Sequence, residues 1–326
     1  MDIRYDLSIS ERIDKYLFSL GLKEFHSRMQ IHRLLDEGRI VVNGKAVKKS
    51  YLMNPDDLIT IDFPEARTSL LEPENIPLDI VYEDEYLAVI NKPAGMVVHP
   101  GHGNESHTMV NALMYHFHEH LSQGSHPARP GIVHRLDVGT TGLIVIAKDD
   151  STHVKLSHMF QEREIHKQYL AIVVGTPEPA EGKIEGFMHR SFKNPLKMEM
   201  GLSGRWSVTN YKIRTNFQHF SVVDVFPSTG RMHQIRVHFT WKHHPILGDP
   251  LYGGTDSLLS FLPFEMHKKV RALLHHLDRQ ALHAYRLTFT HPMTGKDMEF
   301  EAPIPPDIAH CIDWLGKNDN LIDRME

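Results

Sequence analysis

Cysteine is nearly absent. Cys311 is the only one in the chain, which excludes a disulfide framework and any multi-cysteine metal site and fits a reducing compartment. Long apolar runs are missing too. None approaches about 18 residues, so no transmembrane helix is expected. The N-terminus, Met1 to Leu17, has no apolar stretch of signal-peptide length. These absences predict a soluble, cytoplasmic protein. There is also no excess of positive charge: 36 Lys and Arg stand against 41 Asp and Glu, a net −5. The chain is therefore no bulk nucleic-acid coat, and a nucleic-acid partner would have to meet local positive charge. What is plentiful is apolar residue, 41% of 326, enough for a large core and about two domains. Histidine is abundant as well, with 25 residues, so mild acidification makes the surface more positive.

No internal repeat or low-complexity tract is found. The first segment, residues 1–66, reads as a small α/β unit. Ser10 is placed to cap a helix over Glu11–Leu20, with Ile13, Leu17 and Leu20 inward. A second helix is predicted from about Ser27 to Glu37, with Ile31, Leu34 and Leu35 inward and Gly38 as its stop. Asn43-Gly44 is a strong hairpin signal between short strands. Residues 67–77 are polar, carry Pro73 and Pro77 and read as a linker. From 78 to 316 short strands dominate, among them Leu143–Lys148, Tyr169–Val174 and His233–Phe239. Helical patterns fall near Thr108–Leu121, Ser151–Glu162 and His267–Leu274. Strands with a few helices and no regular alternation predict an α+β domain with a mostly antiparallel sheet. Residues 317–326 read as a frayed polar tail.

Arg28 and Arg33 share the second helix, and Lys45, Lys48 and Lys49 follow the hairpin turn. Such a group can grip phosphates, though helices and turns carry cations on any solvated face. Between Lys183 and Arg214 lie seven basic residues and two acidic ones. Lys193, Lys197 and Arg205 belong to this patch, and Gly201–Arg205 reads as a mobile loop. RNA contact is the favoured reading.

The most informative stretch runs from Pro130 to Lys148. Leu143–Ala147 is a continuous apolar run, as in a strand buried on both faces. Val138–Gly142 is turn material leading into it. Asp137 therefore stands at the mouth of the core, with Arg135 two residues away and, in extended chain, on the same side. By itself this pattern also fits a turn-forming aspartate with a surface arginine. A second cluster, Gly230 to Phe239, alternates: Ile235, Val237 and Phe239 on one face, Gln234, Arg236 and His238 on the other. As a strand it would form the wall of a site. A third, His166–Val174, puts Lys167, Tyr169 and Ala171 on one face, where a tyrosine can equally be core.

Two resemblances add to these readings. Residues 10–63, with Ser-Glu-Arg-Ile-Asp-Lys-Tyr-Leu and then Ser27-Arg28 through Gly44-Lys45, resemble the small RNA-binding domain first described in a small-subunit ribosomal protein. That resemblance implies RNA contact by the second helix and the loop after it. Residues 78–307 resemble the RluA-type pseudouridine synthases, in the large-ribosomal-subunit, RluD-like branch. The motifs are His134-Arg-Leu-Asp137 through Leu143, Lys167-x-Tyr169-x-Ala171, and Gly230-Arg-x-His-Gln-Ile-Arg236-x-His238. His244–Gly253, Asn91–Pro100 and Leu282–Leu287 complete the set. Val138-Gly139 and Thr141 depart from the commoner pattern without touching a reacting group.

The resemblance implies isomerisation of uridine to pseudouridine in RNA, with ribosomal RNA favoured over transfer RNA, and with no cofactor and no metal. His116-x-His118-x-His120 is accordingly not read as a metal site. It implies that Asp137 is the essential carboxylate, attacking the sugar or taking a sugar proton. Arg236 is implied to pair with it and Tyr169 to stack on the target base. Leu287 is implied to lie under the uracil, and Arg135 to fill the space an everted base leaves. A non-catalytic RNA-binding factor and a glycoside hydrolase are the competing readings. The first does not need the Asp–Tyr–Arg trio, and the second usually needs two spaced carboxylates. A monomer without membrane contact is expected.

Overall fold

A computed structural model of the chain describes residues 1–7, 10–22, 25, 28–63, 71–101, 103–118, 120–123 and 128–320. It forms two compact units, residues 1–71 and 72–326.

The first unit contains β1 (Asp2–Arg4), α1 (Ile13–Ser19), α2 (Arg28–Asp36), β2 (Ile40–Val42), β3 (Lys45–Ala46) and β4 (Leu58–Ile61). Its antiparallel sheet has the order β1-β4-β2-β3. Asn43 and Gly44 both have positive φ, 49° and 74°, the twist that closes a two-residue hairpin. Ile13, Leu17, Ile31, Leu34 and Leu35 are buried in one core with Tyr5 and Ile59. Two expectations fail. Leu20 is 38% exposed, because α1 ends one residue before it. Ser10 does not cap the helix: Arg12 occupies the N-cap position, and the Ser10 hydroxyl donates instead to the Met53 carbonyl.

The second unit is built on one large sheet. In chain order its elements are β5 (Ile80–Glu83), β6 (Leu87–Lys92), α3 (Met109–Phe117), β7 (Thr141–Ala147), α4 (Asp150–Glu162) and β8 (His166–Val174). Then come β9 (Glu181–Arg190), β10 (Met198–Gly201), β11 (Arg205–Asn216), β12 (Phe220–Pro227) and α5 (Gln234–Trp241). A short 3-10 helix, α6 (Phe264–Leu274), β13 (Leu282–Thr290), β14 (Asp297–Glu301) and α7 (Pro306–Asn318) end the chain. The sheet order is β10-β9-β11-β12-β8-β13-β7-β6-β5, with β14 added on β13. Only the β13–β7 pairing is parallel. This is the α+β architecture that the strand-rich pattern predicts.

β7 is buried at every position, and its alternation feeds two cores. Ile144 and Ile146 join Ala88 and Ile90 in the larger one; Leu143, Val145 and Ala147 join Leu87, Val89 and the α4 residues Leu156 and Met159 in the other. At the start of β7, Gly142 has φ 108°, and a Cβ there would lie 2.2 Å from the Ala284 carbonyl oxygen. Only glycine lets β13 come this close.

Three further corrections concern organisation. Residues 72–77 are not a free linker: Asn111 donates to the Glu72 carbonyl, and the Glu74 amide donates to that of Asn111. Residues 67–70 lie outside the described residues. The tail is ordered through Asn320, because Asp319 is buried and accepts from the amide and Nδ1 of His219; residues 321–326 lie outside the described ones. The loop expected over Gly201–Arg205 is limited to 202–204, because Gly201 ends β10 and Arg205 begins β11. Among the described residues no helix is long and apolar enough to cross a membrane.

Candidate active site

The segment 230–241 is where sequence pattern and structure part. It is not a strand: Gln234 to Trp241 is α5. Every residue from Gln234 to Phe239 is buried, so the segment shows neither an exposed stripe nor an exposed face that would separate period 2 from period 3.6. Its polar side chains are all engaged internally. Gln234 donates to the Val208 carbonyl and the Thr209 hydroxyl. His238 Nε2 meets the Ser207 hydroxyl at 2.8 Å. Arg236 lies between two aspartates.

Arg236 Nη1 donates to Asp137 Oδ2 at 3.1 Å. Its other edge makes a two-point contact with Asp249, Nε to Oδ2 at 2.7 Å and Nη2 to Oδ1 at 2.9 Å. Asp249 is fully buried and also accepts from the amides of Leu251 and Tyr252. The Tyr252 ring lies 5.0 Å from the guanidinium carbon. Burial works against the charge on Arg236, but the bonds and charges of Asp249 and Asp137 outweigh it and raise its pKa. The guanidinium is thus a fixed cation, and Asp137 receives one edge of it.

The Asp137 backbone is held as firmly. Its carbonyl accepts from the Thr140 amide, closing the turn that leads into β7. Lys92, fully buried, donates through Nζ to the carbonyls of Pro93, Met96 and Val138. Burial, opposed by the Asp137 charge, brings its pKa down to about 7. Arg279 donates to the Gly139 carbonyl while paired with Asp307, and Gln280 donates to Thr140 Oγ1. A Cβ on Gly139 would stand 2.6 Å from Gln280 Oε1, so a larger residue there would have to displace the end of that side chain.

Asp137 opens into a cavity of about 650 Å³. Tyr169, Arg135, Arg236, Thr140, Ile235 and Leu282 line it, together with Phe160, Arg163, Lys167, Arg231 and His233. Of its side chains five are Lys or Arg and one, Asp137, is a carboxylate, so the local charge is opposite to that of the whole chain. Burial first, and then the Asp137 charge, raise the pKa of Tyr169, which keeps it a phenol. His233 Nε2 is 3.9 Å from Asp137 Oδ1, and its Nδ1 meets the Tyr252 hydroxyl at 2.9 Å. Burial lowers the His233 pKa despite Asp137.

The structure therefore brings Asp137, Arg236, Tyr169 and Arg135 together. Arg135 is exposed, its Nη1 3.5 Å from His99 Nε2. Leu287 is a correction: it is sealed in the core with Leu143, Val145, Met159 and Ile165 and does not line the cavity. β13 carries an extra residue between the pairs Ala284–Tyr169 and Arg286–Gln168, so position along it cannot be counted from Tyr169. Lys193 is exposed on the β9–β10 connection and Arg205 at the start of β11, and Lys197 Nζ lies 5.9 Å from the Tyr252 ring. None of the three lines the cavity. Lys45, Lys48 and Lys49 are exposed on and after the hairpin. Arg28 and Arg33 lie on α2, but their side chains are outside the described residues. Sequence reading missed Asp249, Tyr252, His233 and Lys92 as members of the site. An arginine among the apolar residues Ile235, Val237 and Phe239 was the available signal, because once buried it requires a carboxylate partner.

A family model described as RNA pseudouridylate synthase matches residues 86–241, and an S4 domain model matches residues 11–59. The chain belongs to the RNA pseudouridine synthase family, enzymes that isomerise uridine in RNA. It is 40% identical over 306 residues to a "Ribosomal large subunit pseudouridine synthase D" of Zymomonas mobilis, covering 92% of each chain. The Vibrio cholerae protein of that name is 37% identical, with 98% of this chain and 96% of the relative covered. The "Uncharacterized RNA pseudouridine synthase YlyB" of Bacillus subtilis is 39% identical, covering 95% of each. Among solved structures, "Human RNA Pseudouridylate Synthase Domain Containing 4" superposes with a TM-score of 0.54 at 27% identity, over 73% of this chain and 92% of that one.

Proposed function

We propose that this enzyme converts specific uridines of large-subunit ribosomal RNA to pseudouridine, with Asp137 as the essential carboxylate acting on a nucleotide turned out of its stack. The observation that carries the reading is the Arg236–Asp137 contact at the edge of a cation-lined cavity. A guanidinium fixed from behind by Asp249 presents the Asp137 carboxylate to the cavity in a set direction. Two routes serve that anion: attack on C1′ of the ribose, or removal of the C2′ proton. In either, the C1′–N1 bond breaks, the uracil turns, C5 bonds to C1′, the C5 proton leaves and N1 ends protonated.

Tyr169 stands beside Asp137 as a neutral phenol, suited to stack on the uracil and to exchange a proton. Eversion of the base costs a few kcal/mol, and the flat guanidinium of Arg135, exposed at the cavity rim, suits the vacated space. The exposed lysines Lys45, Lys48 and Lys49, and Lys193, Lys197 and Arg205, supply phosphate contacts away from the reacting base. The ribosomal target rests on the names of the Zymomonas and Vibrio relatives.

The test is pseudouridine mapping of large-subunit ribosomal RNA from cells with and without this gene. One or more sites should lose pseudouridine in the deletion and regain it with the wild-type chain. Unchanged ribosomal RNA, with sites lost elsewhere, would overturn the target while keeping the chemistry.

A further inference from the structure

Of the five cations lining the cavity, only Arg236 has a carboxylate at ion-pair distance among the described residues. Lys167 is the costliest exception. It leaves β8 two residues before Tyr169, so both side chains share a face of the strand and both line the cavity. Its Nζ sits 5.7 Å from the Phe160 ring centre and makes no hydrogen bond to a described residue. Burial pulls its pKa down to about 8. An ammonium withdrawn from water without an anion costs folding stability. Such a charge is accounted for where a ligand brings the counter-charge. Asp137 is the cavity's own carboxylate, and Arg236 already holds it. RNA carries one anion per nucleotide, the phosphodiester.

We propose that Lys167 neutralises the phosphodiester adjoining the target uridine, pinning the everted nucleotide's backbone while Asp137 and Tyr169 address its sugar and base. The Phe160 ring under the ammonium keeps water from one side of it and lends a weak attraction of its own. Arg163, in the left-handed C-cap position of α4, lines the cavity on the same segment and extends the cationic wall. This inference rests on RNA being the substrate.

The experiment measures binding of the full chain to an unmodified large-subunit ribosomal RNA transcript, as log affinity against log salt between roughly 50 and 200 mM. Lys167→Gln should make the slope shallower by about one and weaken binding roughly tenfold at mid-range salt. Lys167→Arg should keep the wild-type slope. On RNA that the wild type modifies, Lys167→Gln should raise KM by a larger factor than it lowers kcat. Lys167→Met should melt at or above the wild-type temperature, since it removes a half-buried charge with no carboxylate at ion-pair distance among the described residues. A wild-type slope in Lys167→Gln overturns the proposal, as does a loss of kcat with KM unchanged. A lower melting temperature for Lys167→Met, with Lys167→Arg as defective as Lys167→Gln, makes Lys167 a packing residue and also overturns it. A wild-type chain whose binding has no salt dependence would count against RNA itself, a separate failure read from the same data.

Discussion

Around Asp137, charge is sealed in; on the N-terminal hairpin, it is left out in water. Arg236 spends both edges of its guanidinium on carboxylates, Lys92 spends its ammonium on three carbonyls, and Arg279 is paired with Asp307. Lys45, Lys48 and Lys49 are exposed and have no ion pair among the described residues. The difference follows from the two tasks. A reacting carboxylate has to be held within a fraction of an ångström, and buried, mutually satisfied partners do that. Phosphate contacts tolerate movement and gain from long solvated side chains.

The comparison breaks most severely at Arg236. Arg236→Met leaves Asp249 buried without its partner, which should destabilise the chain by about 3–5 kcal/mol and abolish turnover. Urea unfolding and pseudouridine assays on the folded fraction check both. A variant within a few tenths of a kcal/mol of wild type would mean that Asp249 is satisfied by the amides of Leu251 and Tyr252 alone.

Lys92→Met should cost about 1–3 kcal/mol, because three carbonyls lose the buried donor they share. Val138 is one of them and adjoins Asp137, so kcat should fall with KM little changed. Equal loss in both constants would argue against a positioning role.

The buried histidines make the sealed region acid-sensitive. Burial lowers the pKa of His134 to about 3, and those of His238 and His283 to about 4. Unfolded histidine takes up its proton near 6.5, so below that pH the unfolded chain binds more protons than the folded one. Stability should fall as the pH drops from about 6.5 toward 4, by ~1.4 kcal/mol per pH unit for each such group. A melting temperature flat across that window contradicts this.

At the other end of the scale, replacing Lys45, Lys48 and Lys49 together by alanine should move stability within about 0.5 kcal/mol and leave kcat alone. The salt dependence of RNA binding should become shallower. No change in that dependence would remove the hairpin from the interface.

Much of this site could be read in advance, and what escaped did so for physical reasons. The position of Asp137 before a doubly buried strand was legible in the residues themselves, whereas Arg236 and Tyr169 as its neighbours came from the family motifs they match. Residues 234–239 read as a strand because apolar and polar residues alternate there, but in α5 that alternation does not separate two faces, since all six residues are buried. Leu287 under the base was implied by the family resemblance; on β13, which carries an extra residue relative to β8, that side chain packs into the core instead. Asp249 is separated from Arg236 by a turn, and only the fold shows that the turn brings it back.

The most direct measurement is pseudouridine formation by purified Asp137→Asn beside the wild type, on ribosomal RNA from cells lacking the gene. With Asp137 as the essential group, the variant should bind that RNA and melt like the wild type yet form no pseudouridine. Formation at the wild-type rate would contradict the assignment.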